Sequence, residues 1–174
     1  TIAADRAQDR GLTVAELGTE SLQRLAAELP PASREGDPVY VRPDVDGTQF
    51  AAAARICLED PGVDALLAIL VPHALTDPDA IAESLIEIGQ GSRKPVFACW
   101  MGGVAVEPSR VRFAAHRVPS YMRPETAVDA ITGLGLYAAN QQLLLQAPEP
   151  LELASAPDRA RAQALFRDTV RVLD

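Results

Sequence analysis

The chain has 174 residues, of which 48% are apolar and 23% are charged, and its formal net charge is −8 at pH 7. This length and apolar share suffice for one globular domain with its own core. Lysine and arginine are scattered without a basic run, which argues against nucleic acid or an anionic membrane as a partner. The longest apolar run is far shorter than the roughly 20 residues that a membrane-spanning helix needs.

The first third of the chain predicts two helices separated by a short strand. The first helix covers residues 1–10 and ends at Gly11, a typical residue after a helix C-terminus. Residues 12–17 are predicted as the strand, and Thr19 is expected to cap the second helix. That helix gathers its apolar residues on one face, which comprises Leu22, Leu25, Ala26 and Leu29.

The middle of the chain predicts helices and buried strands in alternation. Residues 48–59 and 77–89 have helical apolar periodicity, whereas residues 63–71 and 94–101 are almost continuously apolar. Strands of that composition are covered on both faces, as in a parallel sheet. We therefore expect residues 63–71 and 97–101 to form adjacent central parallel strands.

The last third continues the alternation and ends in a separate segment. It predicts a short helix over residues 108–116, a short strand over 118–122 and a long helix over 124–146. Residues 147–157 are predicted as a linker and 158–174 as an amphipathic helix. Alternation of this kind predicts an α/β fold, a flavodoxin-like three-layer sandwich with a mostly parallel sheet.

The two cysteines, Cys57 and Cys99, both lie in apolar segments. We interpret them as reduced core thiols of a cytoplasmic protein rather than as a disulfide, and no signal peptide is visible. Cys99 has no basic neighbour in sequence that would lower its pKa, so it is expected to be core and not a nucleophile. There is no CxxC pair and no Cys/His cluster, so no metal site is predicted.

The stretch FACWMGG ends a predicted buried strand in two glycines, Gly102 and Gly103. The neighbouring strand ends in Val71, Pro72 and His73. In parallel sheets, ligands bind at the carboxyl ends of the strands. The glycines allow either close approach of another group or merely a tight turn, and the sequence leaves both interpretations open.

Few side chains at this edge suggest chemistry, and no catalytic residue is predicted. His73 lies in a loop and could accept a phosphoryl group or a proton only with a partner, for which Thr76 and Asp77 are the candidates. Thr76 or Asp77 is expected to cap the next helix. The helix N–H groups could hold an anion, but Asp77 and Asp79 would repel a phosphate, so capping is favoured.

Three stretches together resemble the NDP-forming acyl-CoA synthetases, relatives of succinyl-CoA synthetase: DPGVDALLAILVPHALTDPDAIAESL, KPVFACWMGG and RPETAVDAITGLGLYAANQQLLLQAP. The resemblance implies that residues 1–147 are the second flavodoxin-like CoA-ligase domain of such an enzyme. Residues 148–174 would then be a linker and a helix leading toward an ATP-grasp domain. The sequence departs from the family at Tyr40, where relatives have an aspartate.

The resemblance also implies an activity and partners. The family converts acyl-CoA, phosphate and ADP into acid, CoA and ATP through an acyl phosphate and a phosphohistidine, using magnesium. Neither a cofactor nor the phosphohistidine is expected in this chain, which is predicted to be inactive alone. Its partners would be the phosphohistidine-bearing, CoA-binding and ATP-grasp domains, with a homo-oligomer also possible. A docking edge for the phosphohistidine loop would comprise Pro72, His73, Thr76, Asp77, Met101, Gly102 and Gly103.

Two alternatives stay open at the level of sequence. Some members of the family are fused to a protein lysine acetyltransferase, in which the ligase-like part would sense acyl-CoA. The other alternative is a packing module that binds no ligand. An acetyltransferase domain in the same gene would favour the first, and a well-filled apolar sheet edge without an anion site would favour the second.

Overall fold

A computed structural model describes residues 1–29, 38–42, 45–146, 158 and 160–165. The chain divides into two compact units, Thr1–Ala139 and Asn140–Asp174. The helices and strands are α1 (Ile2–Asp9), α2 (Thr19–Glu28), α3 (Gly47–Glu59), β1 (Leu66–Leu70), α4 (Pro78–Gly91), β2 (Val96–Trp100), a 3-10 turn (Gly103–Val106), α5 (Glu107–Ala115), β3 (Ser120–Tyr121) and α6 (Pro124–Leu145). The predicted linker lies outside the described residues, and of the predicted last helix only 160–165 are described as helical.

The three strands form a parallel sheet in the order β1-β2-β3. Between β1 and β2, Leu66 pairs with Val96 and Leu70 with Trp100. Between β2 and β3, Cys99 pairs with Tyr121. Parallel neighbours need a crossover, and α4 and α5 supply it here. The α/β class with a parallel sheet, predicted as a flavodoxin-like sandwich, is therefore confirmed.

The main core lies on one face of the sheet, under α3, α4 and α5. Leu70, Ala98 and Trp100 face it, together with buried side chains of the three helices. Trp100 packs edge-to-face on Phe113, with ring centroids 4.8 Å apart, and both residues are fully buried. All five residues of β2 are buried, as its unbroken apolar sequence predicts.

The prediction of two central strands is wrong for β1, which is an edge strand of the sheet in the described part of the chain. Its outward residue Ile69 is 37% exposed, and Val71, just beyond the strand, is 63% exposed. An apolar run predicts a buried face but does not report how many strands are hydrogen-bonded beside it. Residues 12–17, predicted as a strand, have no regular structure, and Leu17 packs against the side chains of α2 and α3 instead.

The predicted cap of α2 is also wrong, because Thr19 is the first helical residue and Gly18 is the N-cap. Asp60, at the end of α3, takes over the capping role: its Oδ2 accepts a hydrogen bond from Gly18 N at 2.8 Å. Asp60 is only 2% exposed, and hydrogen bonds from Ser21 first, then from backbone N–H groups, lower its pKa. Leu22, expected on the buried face of α2, is 49% exposed.

An ion pair joins α1 to the first turns of α6. Arg6 bonds both carboxylate oxygens of Asp129, at 3.1 and 2.9 Å, and Arg10 Nε bonds Oδ1 at 2.8 Å. These bonds lower the pKa of Asp129. Helix α1 ends before Gly11, whose φ of +74° is the left-handed conformation expected after a helix C-terminus.

Candidate functional site

The candidate site is the edge at which β1 and β2 end. Met101 N donates a hydrogen bond to Leu70 O at 2.9 Å, so the segments that follow β1 and β2 leave the sheet side by side. The segments after them, residues 71–77 and 101–103, carry all seven residues that the sequence nominated. The structure thus brings the nominated residues to one edge of the sheet, and their role in docking stays a prediction.

The two glycines of this edge lack side chains for different reasons. A Cβ on Gly102 would lie 2.6 Å from Pro72 Cγ and 2.9 Å from Pro72 Cδ, so the backbone rests directly on the proline ring. Gly103 has a φ of +58°, and a Cβ there would meet no atom within 4 Å. The first glycine therefore serves close approach within the chain, and the second serves a turn.

The loop after β1 is held by its own backbone and by the start of α4. Thr76 N donates to His73 O at 2.9 Å, and His73 N donates to Thr76 Oγ1 at 3.3 Å. Asp77 caps α4, because its Oδ1 accepts from Asp79 N and Ala80 N, each at 3.1 Å. These N–H groups already donate to the Asp77 carboxylate, so this helix start is poorly suited to a phosphate. The His73 side chain is exposed and has no hydrogen-bond partner among the described residues.

Two contacts that sequence reasoning missed fix the helix starts beside this edge. Ser109 Oγ, fully buried in the first turn of α5, donates to Asp79 Oδ1 at 2.5 Å. Trp100 Nε1, at the end of β2, donates to Pro78 O at 3.3 Å. Only the position of Ser109 directly after Pro108 at a predicted helix start hinted at a structural hydroxyl. The two bonds join the start of α4 to the start of α5 and to the end of β2.

Exposed apolar side chains lie in the segments that follow the three strands. Val71 and Leu75 follow β1 and are 63% and 73% exposed. Val104, after β2, is 89% exposed, and Met122, after β3, is 60% exposed. All four lie in segments that follow the carboxyl ends of the strands. Exposed apolar surface that is gathered in one region is typical of a protein interface.

The remaining reactive side chains do not add chemistry to the edge. Cys57 and Cys99 are free and buried, and burial raises the pKa of each thiol to about 11. Both thiols are therefore protonated at neutral pH and are poor nucleophiles. In the described part of the chain, no three His, Cys, Asp or Glu side chains are grouped to hold a metal ion. No helix among the described residues is long and apolar enough to span a membrane.

These features define a parallel α/β domain with a partly apolar edge at the carboxyl ends of its strands. The chain belongs to the Ligase-CoA domain family, whose sequence profile matches residues 1–144. The family predicted from the three quoted stretches is thus confirmed.

Characterised relatives of this family are much longer than this chain. It is 32% identical over 145 residues to the alpha subunit of ADP-forming acetate–CoA ligase II from Pyrococcus furiosus, matching 80% of this chain and 31% of that subunit. It is 32% identical over 137 residues to ADP-forming acetate–CoA ligase I from Archaeoglobus fulgidus, matching 79% of this chain and 19% of that protein. The chain therefore spans less than a third of either relative.

Solved structures contain the same fold. A crystal structure of a Pyrococcus horikoshii protein has a TM-score of 0.74 and 30% identity, and the match covers 80% of this chain and 33% of that one. A dinucleotide-forming acetyl-coenzyme A synthetase 1 from Ca. Korarchaeum cryptofilum, solved with phosphate and ADP, has a TM-score of 0.73 and 24% identity, covering 84% and 32%. The second likeness establishes the fold alone.

Proposed function

We propose that this chain is one domain of an ADP-forming acid–CoA ligase. The observation that carries the proposal is its 32% identity to an acetate–CoA ligase alpha subunit of which it matches only 31%. In this proposal residues 1–147 are the folded domain and residues 148–174 lead toward an ATP-grasp domain. CoA, ADP or ATP, and magnesium belong to the other domains, and a cytoplasmic location remains a prediction.

The domain's part in the reaction is to hold the neighbouring domain and its phosphohistidine loop in place. The exposed apolar residues at this edge support this role, because exposed apolar surface that is gathered in one region is typical of a protein interface. The Asp77 carboxylate accepts hydrogen bonds from the N–H groups at the start of α4. The charge of a phosphorylated histidine would therefore have to be met by groups of the partner domain.

The first test is activity of the isolated chain. Incubated with acetyl-CoA, phosphate, ADP and magnesium, it is expected to produce no ATP, whereas the longer polypeptide that carries the domain produces ATP. Steady turnover by the isolated chain would contradict the domain assignment. Saturable binding of acetyl-CoA to the isolated chain would instead support the sensor alternative.

The second test separates docking from passive packing. Val104→Asp places a charge directly beside the proposed docking edge, on a residue that is 89% exposed, and Val111→Asp places the same charge on α5, where the valine is 62% exposed. Neither change is expected to lower the melting temperature of the isolated chain. Only Val104→Asp is expected to reduce ATP formation by the longer polypeptide. Equal activity of both variants would show that the edge makes no productive contact.

A further inference from the structure

A concave surface lies at the opposite, amino-terminal edge of the sheet. It is a groove of about 460 Å³, formed where the chain enters β2 and β3. Its apolar floor includes Val96, Val118, the prolines Pro95 and Pro119, and Leu134 from α6. This volume is within the range of roughly 300–1,000 Å³ that is typical of small-molecule sites.

The groove is cationic although the chain carries a net charge of −8. Arg93, Lys94 and Arg117 line it, and no aspartate or glutamate does. Lys94 Nζ is engaged, since it donates to Asp60 O at 2.6 Å. Arg93 and Arg117 are exposed, and neither guanidinium has a hydrogen bond or ion pair with another described residue. Two guanidinium groups without a partner among the described residues thus flank an apolar floor.

Basic residues beside helix C-termini have an ordinary explanation, because they complement the helix dipole. The backbone of Arg117 argues for more than that. Arg117 N bonds Ala114 O at 3.2 Å and Val118 N bonds Phe113 O at 2.9 Å, which is a Schellman motif at the end of α5. The left-handed position of this motif usually holds glycine, yet here an arginine adopts a φ of 59°.

We propose that the groove binds a small amphipathic anion, an aliphatic or aromatic carboxylate. Its apolar body would lie on the prolines, Val118 and Leu134, and its carboxylate would be held by Arg93 and Arg117. A guanidinium pairs with a carboxylate through two parallel hydrogen bonds, which explains why arginine occupies a position where glycine costs less strain. This inference is independent of the docking role of the opposite edge.

The charge part of the proposal is tested with octanoate, titrated into the chain by calorimetry or NMR. Arg117→Gly and Arg93→Gln are each expected to weaken octanoate binding about tenfold or more, because each removes a charge-assisted hydrogen bond. Arg55→Gln is the control, since Arg55 is an exposed arginine on α3 outside the groove. Arg117→Gly relieves the left-handed strain, so its melting temperature is expected to hold or rise, and lost binding cannot then be ascribed to unfolding.

The apolar part is tested on α6 with a matched pair. Leu134→Ser removes apolar surface from the groove and is expected to weaken octanoate binding, whereas Leu136→Ser, on the same helix and outside the groove, is not. Octylammonium, which has the same body and the opposite charge, is expected not to bind. Absence of saturable octanoate binding, equal weakening by Arg55→Gln, or equally tight binding of inorganic phosphate would each overturn the proposal.

Discussion

Replacing Gly102 by alanine tests the close contact at the end of β2. The new methyl group would lie 2.6 and 2.9 Å from two ring atoms of Pro72 and 3.1 Å from Val106 Cγ1. The φ of Gly102 is 164°, outside the left-handed region, so the expected cost of alanine is worked from steric overlap alone. The ring cannot rotate away because proline fixes its own backbone, and Val106 is fully buried. Overpacking of this kind costs about 1–3 kcal/mol.

Thermal and urea unfolding of the chain, followed by circular dichroism, measure that cost. For a chain of this size about 1 kcal/mol lowers the melting temperature by roughly 2–4 °C. Pro72→Ala deletes the two clashing ring atoms and by itself costs about 0.4–1 kcal/mol, through the entropy of the unfolded chain. The double variant is therefore expected to lose about 1–2 kcal/mol less unfolding free energy than the sum of the losses in the two single variants. Strict additivity would refute the proposed contact between Gly102 and Pro72.

Three further outcomes are expected. Gly103→Val should destabilise the chain by roughly 1–3 kcal/mol and Gly103→Asn by clearly less, since asparagine tolerates the left-handed conformation; equal losses in urea titrations would argue against strain. Asp60→Asn should be less stable than the native chain at pH 7. Hydrogen bonds, that from Ser21 first, hold the pKa of Asp60 in the folded chain below its unfolded value of ~3.9. The difference in stability between Asp60→Asn and the native chain should therefore shrink as the pH falls through the folded pKa. A stability difference that does not change between pH 7 and pH 3 would contradict this. Cys57 and Cys99 should react with a thiol reagent at pH 7.5 only after denaturation, and immediate labelling of the native chain would show that they are not buried.

Elements with a strong local pattern were predicted well. Apolar periodicity predicts a helix over residues 77–89, and α4 is observed at Pro78–Gly91, with Ile81, Leu85 and Ile88 buried. The apolar run predicts a strand over residues 94–101, and β2 is observed at Val96–Trp100. Asp77 was one of two expected caps and is the one found. In each case the residues that predict the element belong to the element itself or directly adjoin it.

The sequence by itself determined the order of helices and strands from residue 48 onward and the parallel class of the sheet, because apolar periodicity and capping residues act over a few neighbouring positions. The family followed from the resemblance of the three quoted stretches. Only the tertiary structure decided that β1 is an edge strand, that Asp60 caps α2 and that Gly102 rests on Pro72. It also decided that Arg93 and Arg117 flank one groove. These contacts join residues that lie far apart in the chain, 42 positions in the case of Asp60 and Gly18. No local pattern reports such a contact, because its partner is chosen by how the packed elements approach each other.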